Sequence, residues 1–201
     1  SADEASRDAL VPTLGRLGGD GALAIVDTLV ANPDAVQRRL GLTALVRWPD
    51  ATVSQRLLDL LSKAQDPAER EMLLSALIRI APLPDNKLND KQKLSLLQKT
   101  MTLCQRDADR RRVLERANAI RTVDTLRFVE PYLDDPTLAE SACLSVVELA
   151  HHRTLRDANK DEFTKALDKV VTTTKNPELV ERAERYKQGQ TWERKKPAAK
   201  S

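Results

Sequence analysis

Residues able to do chemistry are few in this chain, and they are scattered. His151 and His152 are the two histidines among 201 residues. Neighbouring side chains on a helix point about 100° apart, so the pair cannot share one ligand face. A metal there would need a carboxylate such as Glu148, one turn back, and the histidines are expected only to meet the helix dipole and solvent. Cys104 and Cys143 are 39 residues apart, outside any CxxC, and read as thiols acting as small hydrophobes, with a disulfide left open. Asp134-Asp135 and Asp161-Glu162 fall at turns or helix starts, where capping accounts for them. The sequence contains no G-x-S-x-G, no Gly-rich phosphate loop and no H-E-x-x-H. The expectation is a non-enzymatic chain with no cofactor and no metal.

Binding is the better prospect. Arg38 and Arg39, Arg70, and then Arg110, Arg111, Arg112 and Arg116 recur near equivalent places in consecutive segments. Guanidinium groups in a row could read carboxylates or phosphates bidentately. Against this, acids stand beside them at the turns (Asp34, Asp66, Glu69, Asp107, Asp109), and pairing with these would stitch segments together instead. Trp48, before Pro49-Asp50, could supply contact area at an interface or simply cover the end of its own helix. From these alternatives the candidate binding residues are Arg38, Arg39, Trp48, Arg70, Arg111 and Arg112.

The elements that carry them are helical. Thirty residues are Leu and 24 are Ala, against six aromatics and six glycines. A turn signal recurs at Asn32-Pro33, Asp66-Pro67, Asp135-Pro136 and Asn176-Pro177, at intervals of 34, 69 and 41 residues. Arg106-Asp107-Ala108-Asp109 fills the missing slot without the proline. Apolar residues spaced three and four apart flank each signal and read as buried helix stripes: Ala24-Ile25 and Leu29-Val30 before the first, Leu42-Thr43-Ala44-Leu45 after it. The Asx side chain caps the next helix and Pro fits its first turn. Eleven helices are predicted, at 4–17, 21–31, 34–47, 51–64, 67–80, 90–104, 108–120, 123–133, 137–152, 159–174 and 177–188. Gly15, Gly18, Gly19 and Gly21 are expected to separate the first two, Pro82 to Asn86 to form the longest interior loop, and His152 to Asp157 to be a linker.

A helix followed by five helix pairs predicts an all-α fold, with the pairs stacked into a right-handed solenoid over 1–188 and the second helices lining its concave face. Residues 189–201 form a basic tail, expected to be flexible. The net charge is +3, but residues 187–201 contribute +4 and the preceding 186 sum to −1. A body without excess positive charge argues against nucleic acid as the partner. Charges interrupt every Leu-rich stretch, so no membrane span is expected.

Three strings carry a family resemblance: Arg16-Leu17-Gly18-Gly19-Asp20-Gly21 with Leu29-Val30-Ala31-Asn32-Pro33, Asp66-Pro67-Ala68-Glu69-Arg70-Glu71, and Val129-Glu130-Pro131-Tyr132-Leu133-Asp134-Asp135-Pro136. These resemble the turns of HEAT-like (armadillo-type) repeats, over about residues 3 to 188. The resemblance implies a scaffold that binds a protein partner, since such arrays usually lack chemistry of their own. Residues 91–187, ending in Thr174-Lys175-Asn176-Pro177-Glu178-Leu179, also resemble HEAT-like segments of large secreted bacterial proteins, some with a 3-keto-disaccharide hydrolase domain. That likeness implies an accessory module of a larger exported chain. The leading unpaired helix points the same way. Without it the compartment, cytoplasmic or exported, stays open.

Overall fold

Asp34, Asp66 and Asn176 each turn a side-chain oxygen onto the free N–H groups of the helix that follows. Asp34 accepts from Val36 and Gln37 at 3.0 and 2.9 Å, Asp66 from Glu69 at 2.9 Å, and Asn176 from Glu178 at 3.0 Å. At Asp66 and Asn176 the cap is the residue the Asx-Pro signal predicts. At Asn32-Pro33 it is Asp34 instead, with Asn32 accepting from the Asp34 N–H. At Asp135-Pro136 the N-cap position of the next helix falls to Leu138, which makes no side-chain cap bond. The computed structural model describes residues 2–84 and 87–192. Within them lie twelve α-helices and no strand. They are α1 (Ala2–Leu17), α2 (Asp20–Val30), α3 (Ala35–Leu45), α4 (Ser54–Lys63), α5 (Pro67–Ile80), α6 (Asp90–Leu103), α7 (Asp107–Ala117), α8 (Val123–Val129), α9 (Ala139–His151), α10 (Arg153–Ala158), α11 (Lys160–Thr173) and α12 (Pro177–Lys187). The all-α expectation holds.

Several boundaries differ from the sequence reading, each for a local reason. The expected linker at 152–157 contains α10, which starts where His152 leaves helical geometry at ψ 93° and buries Arg156 beneath it. The predicted helix at 123–133 stops being α-helical at Val129 and continues as a 3-10 turn, Glu130–Asp134. Pro131 has no N–H to extend the α ladder there. Ala51–Val53 is likewise a 3-10 turn before α4, with Asp50 accepting from the Thr52 N–H at 2.9 Å. Chain reversal between α1 and α2 rests on Gly18 and Gly19 alone, at φ 69° and 89°. Gly15 and Gly21 lie inside helices instead. Gly15 lets α1 approach α3 closely, because a Cβ there would sit 1.9 Å from the Ala44 carbonyl oxygen. Ile25, expected in the buried stripe of α2, is 49% exposed, and Val26 faces the core in its place beside Leu29, which is buried as expected. Asp85 and Asn86 of the Pro82 loop, and residues 193–201 of the tail, lie outside the described residues.

The chain groups into two compact units, 1–109 and 110–201. In the first, α1 and α2 pack on α3, and α5 packs on α4 and α6. Trp48, Leu45, Leu57, Leu61, Leu73, Leu77 and Leu97 are buried at its centre. In the second, α9 packs against α10, α11 and α12 over Phe163, Val146, Leu167 and Leu179. Polar bonds recur at a set distance along the chain. Arg38 meets Glu69, Arg79 meets Val46, and Arg106 meets Glu71, at separations of 31, 33 and 35 residues. In the second unit Arg127–Glu162, Lys169–Asp134, Thr174–Glu140 and Arg182–Glu148 are 34 or 35 apart. Each is about one turn-signal interval long.

Candidate binding site

The arginines of the first unit are mostly committed to neighbouring helices. Arg38, on α3, makes a bidentate pair with Glu69 of α5 at 2.7 and 2.8 Å. Glu69 raises the guanidinium pKa through these bonds against a smaller effect of burial. Arg70 points past the turn acids to main-chain carbonyls: Nη1 lies 2.9 Å from Leu61 O, and Nη2 lies 3.5 Å from Leu103 O. It therefore satisfies carbonyls at the C-terminal ends of α4 and α6 that have no partner within their own helices. Arg79 does the same for α3, donating to Val46 O at 2.9 Å and Trp48 O at 2.7 Å. Burial lowers its pKa. Arg39 is exposed and has no ion pair among the described residues.

Trp48 contradicts its candidacy as a contact residue at the surface. It is 1% exposed, and its Nε1 donates to Thr52 Oγ1 at 3.1 Å. An indole that closes a helix end over its own core has no area to offer a partner. In the second unit Arg111 is exposed and donates from Nε to Thr137 O at 3.0 Å, tying α7 to the turn before α9. Arg112, half-buried on the same helix, is also engaged. The structure brings Arg38 to the residue before Arg70, but it assembles no common site from the six candidates.

Two recesses among the described residues bear on binding. One, of about 370 Å³, lies along the α4–α5 and α6–α7 turns and is lined by Gln65, Arg70, Glu71, Gln105, Arg106 and Asp109 among others. Arg106 holds Asp109 at 2.8 Å and Glu71 at 3.2 Å there. Asp109 is 3% exposed, so this pair is largely shielded on the carboxylate side. Charges along this recess balance.

The other lies in the second unit, on side chains that the sequence reading passed over. Tyr186 of α12 is buried between two cations: the Arg156 guanidinium carbon is 5.2 Å from its ring centroid and that of Arg182 is 5.9 Å. Arg182 also stands 4.8 Å from the Trp192 ring centroid and binds Glu148 at 2.7 Å. Burial opposes the charge on Arg182, and Glu148 together with Tyr186 outweighs it, so its pKa rises. The Tyr186 hydroxyl lies 2.9 Å from His151 Nδ1. His151 thus has a hydrogen-bond partner beyond dipole and solvent, and His152 is pulled below the usual histidine range by burial, then by Arg121 and His151. Trp192, placed by the sequence in the basic tail, packs on the body. A six-residue helix read as linker hid this cluster, and the one available signal was Arg156 three residues after Arg153.

Both cysteines are free and buried. Burial, aided by the charge of Glu140, pushes the Cys143 thiol up to about 12. Among the described residues no three His, Cys, Asp or Glu side chains gather as metal ligands, and no helix is long and apolar enough to cross a membrane. No family model, no curated protein and no solved structure matches this chain.

Proposed function

We propose that the chain is a non-catalytic protein-interaction scaffold, built as a HEAT-like solenoid. The observation that carries this reading is the recurrence of long-range polar bonds between residues about one repeat apart. Arg38–Glu69, Arg106–Glu71, Arg127–Glu162 and Arg182–Glu148 span 31 to 35 residues each. Arrays stabilised mainly between neighbouring repeats present long, regular surfaces, and their use is recognition. Among the arginines without such bonds, Arg39, Arg47 and Arg116 are exposed where a partner could meet them.

The test is capture from extracts of the source cells by the immobilised 201-residue chain, with and without Arg39→Glu and Arg47→Glu. The reading predicts a protein retained in fixed proportion by the native chain and lost with the double variant, while the two chains melt alike. Retention that ignores both substitutions, or no retention at all, contradicts it.

One observation favours a second reading, an accessory module of a larger secreted bacterial enzyme. The large apolar side chains that are exposed, Leu10, Leu17, Ile25 and Val36, all fall between residues 10 and 36 and range from 49 to 72% exposed. A neighbouring domain packed over α1, α2 and α3 would cover them. If so, Leu17→Ser and Val36→Ser should leave capture of a separate protein unchanged and should weaken association with that domain.

A further inference from the structure

The second unit has a cavity of about 320 Å³ between α10, α11 and the end of α12, and Arg156 lines it. This side chain is 4% exposed. Its Nη1 donates to Ala150 O at 2.8 Å, and its Nε stands 3.4 Å from Asp157 Oδ1. Nη2 is shielded from water and has no hydrogen-bond partner. A guanidinium carries five N–H donors and stays charged, so a desolvated nitrogen of this kind has bonding capacity that the fold leaves uncommitted. The Tyr186 ring beneath it compensates the charge without accepting a directed hydrogen bond.

Neighbouring charges leave a positive excess. Asp157 is shared between Arg156 and Arg153, the latter at 3.2 Å. Lys187 is held by Asp168 at 2.7 Å and Glu184 at 3.3 Å. Thr164 has already committed its hydroxyl proton to Lys160 O at 2.8 Å, so it brings no further donor. Lys160 lines the cavity, is exposed, and has no ion pair among the described residues. Arg153, Arg156, Lys160 and Lys187 thus stand against Asp157, Asp168 and Glu184, an excess of one positive charge, and Arg156 and Lys160 both line the cavity.

We propose that this cavity is an oxyanion-binding site, taking a carboxylate or phosphate group between the Arg156 guanidinium and the Lys160 ammonium. The recess is several times larger than a bare anion, so the ligand carries its oxyanion on a larger body that rests along Phe163 and Leu167. Shielding by these side chains strengthens the charge-assisted bonds. The site does not depend on the scaffold reading.

The experiment is a titration of the isotope-labelled full chain, followed by backbone and arginine Nε–H resonances. Inorganic phosphate, acetate and sodium chloride are added in separate series at matched ionic strength. The site predicts saturable shifts at Arg156 Nε–H and at the Lys160 and Thr164 amides with phosphate or acetate, and none with chloride. The anion that saturates at lower concentration identifies the ligand class. Lys160→Gln should weaken that binding about tenfold while leaving the thermal midpoint in place. Equal drift in all three series, no shift at these resonances, or an affinity that ignores Lys160→Gln overturns the proposal.

Discussion

Arg70 and Arg79 of the first unit and Arg156 and Arg182 of the second do related work under different conditions. On α5, Arg70 and Arg79 are half-buried and turn their donors to carbonyls at helix ends: Leu61 and Leu103 for one, Val46 and Trp48 for the other. Arg156 and Arg182 are 4 and 6% exposed, lie against aromatic rings, and each retains one nitrogen without a hydrogen-bond partner. In the first unit the guanidinium is a half-buried fastener of helix ends. In the second it is a buried charge compensated by Tyr186, Glu148 and Trp192. Position in the sequence motif does not separate these roles. Burial and the nature of the neighbours do.

Substitutions can break this contrast, and Trp48→Ala should have the largest effect. Removing a buried indole from the first core costs about 3–5 kcal/mol of unfolding free energy. A residue serving a surface contact would change stability far less, and chemical denaturation distinguishes the two. Next come the arginines. Arg182→Ala should cost about 2–3 kcal/mol, because it removes a charge-assisted bond to Glu148 and two cation–ring contacts. Arg70→Ala should cost about 1 kcal/mol, since it removes hydrogen bonds of a half-buried side chain that has no aromatic ring or carboxylate against it among the described residues. Equal losses would erase the distinction drawn between the units.

A pH series sharpens the comparison for the second unit. The Thr137 N–H, followed by its hydroxyl, holds Asp135 below its ordinary value of 3.8, and Arg127 holds Glu162 below 4.5. A depressed carboxyl stabilises the folded state fully above its ordinary value and loses that contribution as pH falls through the folded one. Acid unfolding should therefore steepen below about pH 4.5, and Asp135→Asn should flatten the slope. The smallest effect is expected at Arg39, exposed and unpaired: Arg39→Ala should stay within about 0.5 kcal/mol of the native chain.

Helix positions were largely legible in the sequence because they rest on local rules. Asp66 and Asn176 cap where the Asx-Pro signals fall, Asp34 takes over from Asn32 and Asp135 caps no helix, while Leu42, Ala44, Leu45, Leu74 and Leu77 are buried as their spacing requires. The candidate site was not legible in the same way. Arginine periodicity identifies Arg38 and Arg70 without indicating whether a carboxylate, a carbonyl or a ligand awaits them. That depends on packing between residues some 30 positions apart. Arg156 was missed because α10 is too short for periodicity to register, and Trp192 because its contact with Arg182 is tertiary.

In the proposed repeat array, stability passes between neighbouring helix pairs. Native-state amide hydrogen exchange, compared between the native chain and Trp48→Ala, tests it most directly. Lost protection should concentrate in α2 to α5, around Trp48, while the amides of α9, α11 and α12 exchange as before. An equal loss of protection from α2 through α12 would mean one cooperative core, and would contradict it.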